Sequence, residues 1–311
     1  MTLLQSTLDR LTLGAPLRCG ALGMIPLLDP ATDAPDTDEP EPYRLFPDAL
    51  RAGTVAIAEV SEGGSVPELA ATNAGDLDVL LVDGEELLGA KQNRMVNLSI
   101  LVPARRAIRI PVSCVERGRW QHRSATFAES PSTVHGRVRA AKARQVSDAL
   151  RHGARHADQM AVWEEIDRKA AALRVHSDTS ALADVHASYA DLTAAAVAEL
   201  AAQPDQVGAV FTLGGAVAGA ELFDRARTFA AYLPKLVRGY ALDAVELGPQ
   251  RAGRLSVRSA ATFLRRLGAA RQRHYPAIGS GEDLRFDAAD VAGGALVAWE
   301  RIVHLTAMRV A

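Results

Sequence analysis

Residues 77–120, LDVLLVDGEELLGAKQNRMVNLSILVPARRAIRIPVSCVERGRW, constrain the fold more than any other stretch of the chain. Two runs of alternation lie within them. Val96, Leu98, Ile100 and Val102 share one face against Met95, Asn97 and Ser99; Ile108, Ile110, Val112 and Cys114 oppose Arg109, Pro111 and Ser113. A period of two marks strands with one face in a core, because successive side chains leave a strand on opposite sides. Asp83-Gly84, between an apolar run at 79–82 and Glu85-Glu86-Leu87-Leu88, predicts a type I′ hairpin, whose central residues need positive φ. Pro111 cannot donate to a ladder, so its strand is expected at an edge or with a bulge. The segment reads as three or four antiparallel strands.

The same segment gathers reactive side chains. Alternation carried back from Val96 puts Gln92 and Arg94 on the apolar face. A guanidinium has five donors and no accessible neutral form, so a buried one must find acceptors. Glu85, Glu86 and Glu116 are the nearest carboxylates by topology. Either these ions meet in a cleft, or they form a network that pins the hairpin to the sheet. Networks of the second kind also perturb ionisation without doing chemistry.

The chain has 311 residues, 48% of them hydrophobic, enough for one large or two ordinary domains. Its net charge of −2 gives no global field for nucleic acid or an anionic membrane. Lysines number four among 35 basic residues, an arginine bias that resembles GC-rich coding more than phosphate binding. Cys19 and Cys114 are isolated from one another and suggest neither a disulfide framework nor a zinc site. No basic leader precedes an apolar core and no apolar run reaches membrane-spanning length, so a cytoplasmic protein is expected. Residues 29–42, DPATDAPDTDEPEP, read as a solvated acidic loop.

Residues 1–130 read as mostly β, with strands at 54–60 and 66–72 after an opening strand pair in 12–28. Residues 131–311 read as mixed. Helices are expected at 134–152, 158–173 and 178–202, a hairpin across Gly214-Gly215, and a helix over 224–246 interrupted at Pro234. A further helix at 256–267 and two or three strands in 284–310, turning near Gly293-Gly294, complete the chain. The two parts are expected to pack as one unit of the α+β class. On the first helix, Val138, Ala141, Gln145 and Ala149 make the candidate buried stripe. Arg137, Arg139, Lys142 and Arg144 offer an anion-binding patch or a solvated face; they are not confined to one side and no aromatics interleave for base stacking, which favours the second.

Several motifs fall short. Residues 84–92 lack the Lys-Ser/Thr placement of a P-loop, and two carboxylates occupy the turn. Cys114 has Trp120, not arginine, six positions on, and its phase with Val112 places it in the core. GGAVAG lies between strands, not at a strand-to-helix turn. His152 and His156 are separated by a glycine, which favours surface histidines over a metal pair. No metal site is expected, and no cofactor is indicated.

The strings GEELLGAKQNR and IPVSCVERGRW, with RVRAAKAR (137–144), Asp158-Gln159, Val162-Trp163, 177–179 and Gln206-Val207-Gly208, resemble a bacterial family. That family is named for association with ADP-ribosylglycohydrolases and rhodanese-type phosphatases. The similarity covers most of residues 50–246. It implies work near NAD- or ADP-ribose-linked processing and attaches no reaction. The matching side chains are Glu85, Glu86, Lys91, Gln92, Asn93, Arg94, Glu116, Arg119 and Trp120.

Two functions follow from different classes. In the first, the chain binds and processes a phosphorylated small molecule: Lys91, Arg94 and Arg119 hold phosphate. Glu86 or Glu116 is the general base, and Trp120 stacks on a base or ribose, with Glu85, Gln92 and Asn93 completing the ligand set. In the second, the same residues brace a sheet in a non-catalytic, homo-oligomeric module. Four consecutive polar residues, 91–94, exceed what bracing needs, which favours a ligand.

Overall fold

Alternation in the central segment does become strands, but they are divided between two sheets. The structure, a computed structural model, describes residues 1–31 and 41–310. Most of the acidic loop expected at 29–42 therefore lies outside the described residues. A six-stranded sheet runs Phe127–Thr133, Glu85–Gly89, Arg94–Val96, Arg106–Cys114, Glu68–Asn73, Val55–Glu59. Ile100–Val102 instead pairs with Asp78–Leu81, which takes Tyr43–Leu45 as a parallel neighbour. Val96, Leu98, Ile100 and Val102 still enter one apolar cluster with Ile57, Leu69 and Ile110, so the face assignment holds across the break.

A third, nine-stranded antiparallel sheet draws on both ends of the chain. Leu22–Leu28 pairs with Gln206–Leu213, and Ala216–Phe223 with Arg301–Arg309. Helix Ala226–Leu247 covers one face through Phe229, Tyr232, Leu236 and Tyr240. Helices Leu3–Arg10 and Val257–Ala269 cover the other through Leu4, Leu8, Phe263 and Leu267. The expected α+β class is what the chain forms, with helices packed on largely antiparallel sheets.

Five local expectations are corrected. Asp83-Gly84 does not close a hairpin: Asp78–Leu81 and Glu85–Gly89 belong to different sheets, and the turn passes the chain between them. Gly84 has φ +78°, as the turn requires, and a Cβ there would lie 2.5 Å from the Arg139 Nε. The strand with Pro111 is internal. It pairs with Glu68–Asn73 up to Pro111 and with Arg94–Val96 from Val112, so the missing N–H falls where the partner changes.

Pro234 does not interrupt its helix, which continues through it from Ala226 to Leu247, held by packing on both sides. The expected 178–202 helix is two, Leu182–Ser188 and Ala190–Glu199, broken at Tyr189. Gly293-Gly294 lies inside strand Val291–Ala298, where a Cβ on Gly293 would run into the Thr306 carbonyl. The turn is made by Trp299 and Glu300, both at positive φ.

Candidate functional site

Register decides which of the polar side chains can meet. Leu87 pairs with Arg94 and Arg94 with Cys114, so these three share one face of the six-stranded sheet. Glu86 pairs with Met95 and projects from the other face, into the cluster of Val115, Val134 and Val138. Glu85 leaves the group as well. Its oxygens accept from Lys235 Nζ at 2.7 Å and from Val82 N at 3.1 Å. Of the nine expected residues, Lys91, Gln92, Asn93, Arg94, Glu116, Arg119 and Trp120 come together.

Within that group the two arginines differ. Arg119 Nε and Nη2 grip both oxygens of Glu116 at 2.8 and 2.6 Å. Its Nη1 donates to the carbonyls of Ala90 at 2.6 Å and Gln121 at 2.8 Å, and Nη2 also reaches Asn93 Oδ1 at 3.2 Å. All five of its protons have acceptors. Glu116 is equally occupied, taking Asn93 N at 3.0 Å and Thr179 Oγ1 at 2.9 Å besides. Burial opposes ionisation of Glu116, but these donors outweigh it and hold its carboxyl below the usual range.

Arg94 is 0% exposed and poorly paired. Its Nη1 donates to Gln92 Oε1 at 2.9 Å, while Nε and Nη2 find no acceptor among the described residues. The nearest carboxylate, Glu59 Oε1, stands 3.9 Å from Nη2, and Glu59 Oε2 is buried without a partner. Lys91 lies alongside. Its backbone N–H reaches Glu59 Oε1 at 3.3 Å, and its ammonium sits 5.4 Å from the centre of the Trp120 ring. The Arg94 Cζ is 5.6 Å from the same ring. Trp120 itself is 44% exposed. It forms a partly open roof over two cations, a cation–π arrangement that leaves Arg94 Nε and Nη2 unaccepted.

Cys114 Sγ donates to the same Gln92 Oε1 at 3.0 Å, and burial pushes its thiol up, away from thiolate chemistry. On the opposite face, burial pushes Glu86 up to about 7. Ser130 Oγ donates to its Oε2 at 2.9 Å, and Oε1 has no partner among the described residues.

Sequence reasoning did not assign Glu59 or Thr179 to the site, although 177–179 is among the segments resembling the family; both enter from elements distant in sequence. It placed helix Gly136–Leu150 correctly but misassigned part of its buried and exposed faces. Arg139 and Lys142 are buried, not solvated, and Ala141 is exposed. Lys142 Nζ bonds Asp83 and, at 2.8 Å, the Asn97 carbonyl. Arg139 bonds Glu221 at 2.6 Å, which also faces His304 at 3.3 Å. Burial draws the Lys142 ammonium down to about 8. Burial also opposes ionisation of Asp83, but Lys142 and Arg139 outweigh it.

A cavity of about 250 Å³ runs beside Ser177, Ser180 and Ala181, next to the Thr179–Glu116 contact. Among the described residues no group of His, Cys, Asp or Glu is placed to hold a metal, and no helix is long and apolar enough to cross a membrane. Comparison with curated proteins and with solved structures gives no match. Residues 10–308 match the family model of the ARPP-1 domain, described as the ARG and Rhodanese-Phosphatase-superfamily-associated Protein domain, and the chain belongs to this family.

Proposed function

We propose that the chain binds a phosphorylated small molecule of the nucleotide or ADP-ribose class, with its phosphate on Arg94 and Lys91 under the edge of Trp120. One observation carries the reading: a fully buried guanidinium with Nε and Nη2 unaccepted. Leaving such donors unmet costs roughly 1–3 kcal/mol each, and an oxyanion at that point removes the cost while gaining charge-assisted bonds. The family's description, in which ARG denotes ADP-ribosylglycohydrolase, supports ADP-ribose as the first ligand to try. The reading is of binding. Both oxygens of Glu116 are occupied and Glu86 faces away, so neither carboxylate is assigned a proton-transfer role.

Bracing is the second reading, and the saturated Arg119–Glu116 pair favours it for that half of the cluster. A thermal-shift series with ADP-ribose, NAD and pyrophosphate separates the two. Ligand at a hundred times its Kd stabilises by about 2.7 kcal/mol. That stabilisation is expected in the wild type and absent in Arg94→Met and Lys91→Ala proteins that keep their fold. No shift with any of the three compounds leaves the bracing role alone.

A further inference from the structure

A cavity of about 720 Å³ lies apart from Arg94, between one face of helix Gly136–Leu150 and the end of the nine-stranded sheet. Its volume is in the range of small-ligand sites, roughly 300–1,000 Å³. Leu213, Ala218 and Met308 give it an apolar floor. Its rim carries Arg137 and Arg144 from the helix and Arg309 from the last strand.

The charges at this rim are uncompensated. Arg137 and Arg309 are exposed and have no ion-pair partner among the described residues. Arg144 gives one proton to the Ala289 carbonyl at 2.8 Å. Asp243 is the one carboxylate lining the cavity among the described residues, and it is already engaged. It takes Lys169 and the Gly136 N–H, the latter at 2.8 Å, and stands 3.4 Å from His135 Nδ1. Burial opposes its ionisation, but His135 and Lys169 outweigh this and hold it charged.

We infer that this groove is a second binding site, for a small soluble phosphate monoester with an apolar body. The apolar part would lie on Leu213, Ala218 and Met308, and the phosphate between the three guanidiniums. Three guanidiniums lining one groove suit a dianionic, multi-oxygen group better than a single carboxylate. The inference is independent of the reading of Arg94, since no residue is shared.

Isothermal titration of the full chain with octyl phosphate, octanol, octanoate and inorganic phosphate, all below the aggregation point of the probes, tests it. One octyl phosphate per chain is expected, with the other three probes at least tenfold weaker. The double variant Arg137→Glu/Arg309→Glu loses at least tenfold in octyl phosphate affinity. Ala141→Trp, which fills the groove from an exposed position, abolishes binding, while Arg94→Met leaves it unchanged. Unchanged binding in either groove variant, loss in Arg94→Met, or no binding of octyl phosphate to the wild type overturns the assignment.

Discussion

Arg94 and Arg119 are two buried guanidiniums a few residues from a common set of partners, yet removing them should have opposite consequences. Arg119→Ala takes from Glu116 its bidentate partner and leaves only Arg123, at 4.0 Å, as a cation partner among the described residues, a change that typically costs about 3–5 kcal/mol. Arg94→Met replaces a cation with two unmet donors by an apolar chain of similar length, so the loss is expected below about 1 kcal/mol, or a gain. Urea unfolding of the two variants decides it; equal, large losses would show that Arg94 braces as Arg119 does. Glu86 offers a second test at this scale. Its folded pKa of about 7 lies above the ordinary 4.5, so the folded state binds the extra proton between those values. The associated stability is fully present below about 4.5 and is lost as pH rises through 7, amounting to about 3 kcal/mol. Glu86→Gln cannot titrate. Its stability relative to wild type should therefore rise by about that amount between pH 5 and pH 8, and a pH-independent difference would refute the assignment.

Many elements were readable from local signals, though the Asp83-Gly84 and Gly293-Gly294 pairs show that a local signal can mark a bend or strand rather than a hairpin. Period-two alternation gave the strands around Val96 and Ile110, and Asp158 and Ser256 marked helix starts that both accept N-cap bonds. Pairing was less readable, because it is set by partners far away in sequence. Pro111 looked like an edge residue, but it sits where one strand exchanges Glu68–Asn73 for Arg94–Val96. The site was legible as a set of donors at 91–94. It was not legible as geometry: alternation separates Glu86 from Arg94, and Glu59 enters through a strand 32 residues upstream of Lys91. Gly84 shows the same division. Its positive φ could be read from Asp-Gly, whereas the reason it tolerates no side chain, the Arg139 stem packed against it, could not. Gly84→Ala is therefore expected to cost at least about 2 kcal/mol, from overpacking added to backbone strain. Gly53→Ala, also at positive φ but with open space around it, should cost about 1 kcal/mol. Equal losses in thermal or urea unfolding would remove Arg139 packing as the cause.

At the scale of the molecule, helix Gly136–Leu150 joins the two larger sheets through charge. Arg139 reaches Asp83 at the turn into the six-stranded sheet, and Glu221 and Thr306 in the nine-stranded one. Ser99 links the two sides again, accepting from Asp83 N at 3.0 Å and bonding His304 Nδ1 at 2.6 Å. Asp283 and Arg285 complete a set of three acids, Asp83, Glu221 and Asp283, against the cations Arg139, Lys142 and Arg285, with His304 alongside, next to a void of about 10 Å³ that has room for roughly one water. A balanced network of this kind adds little net stability over apolar packing, but each member depends on its opposite. Arg139→Met should cost about 3–5 kcal/mol by leaving Glu221 and Asp83 short of a cation, and Glu221→Gln should be costly by the same logic. If the pair acts as the joint between sheets, the double variant should lose at least about 1 kcal/mol less than the sum of the singles. Strict additivity in that cycle would mean that the sheets are held by their apolar clusters, with the buried charges merely tolerated between them.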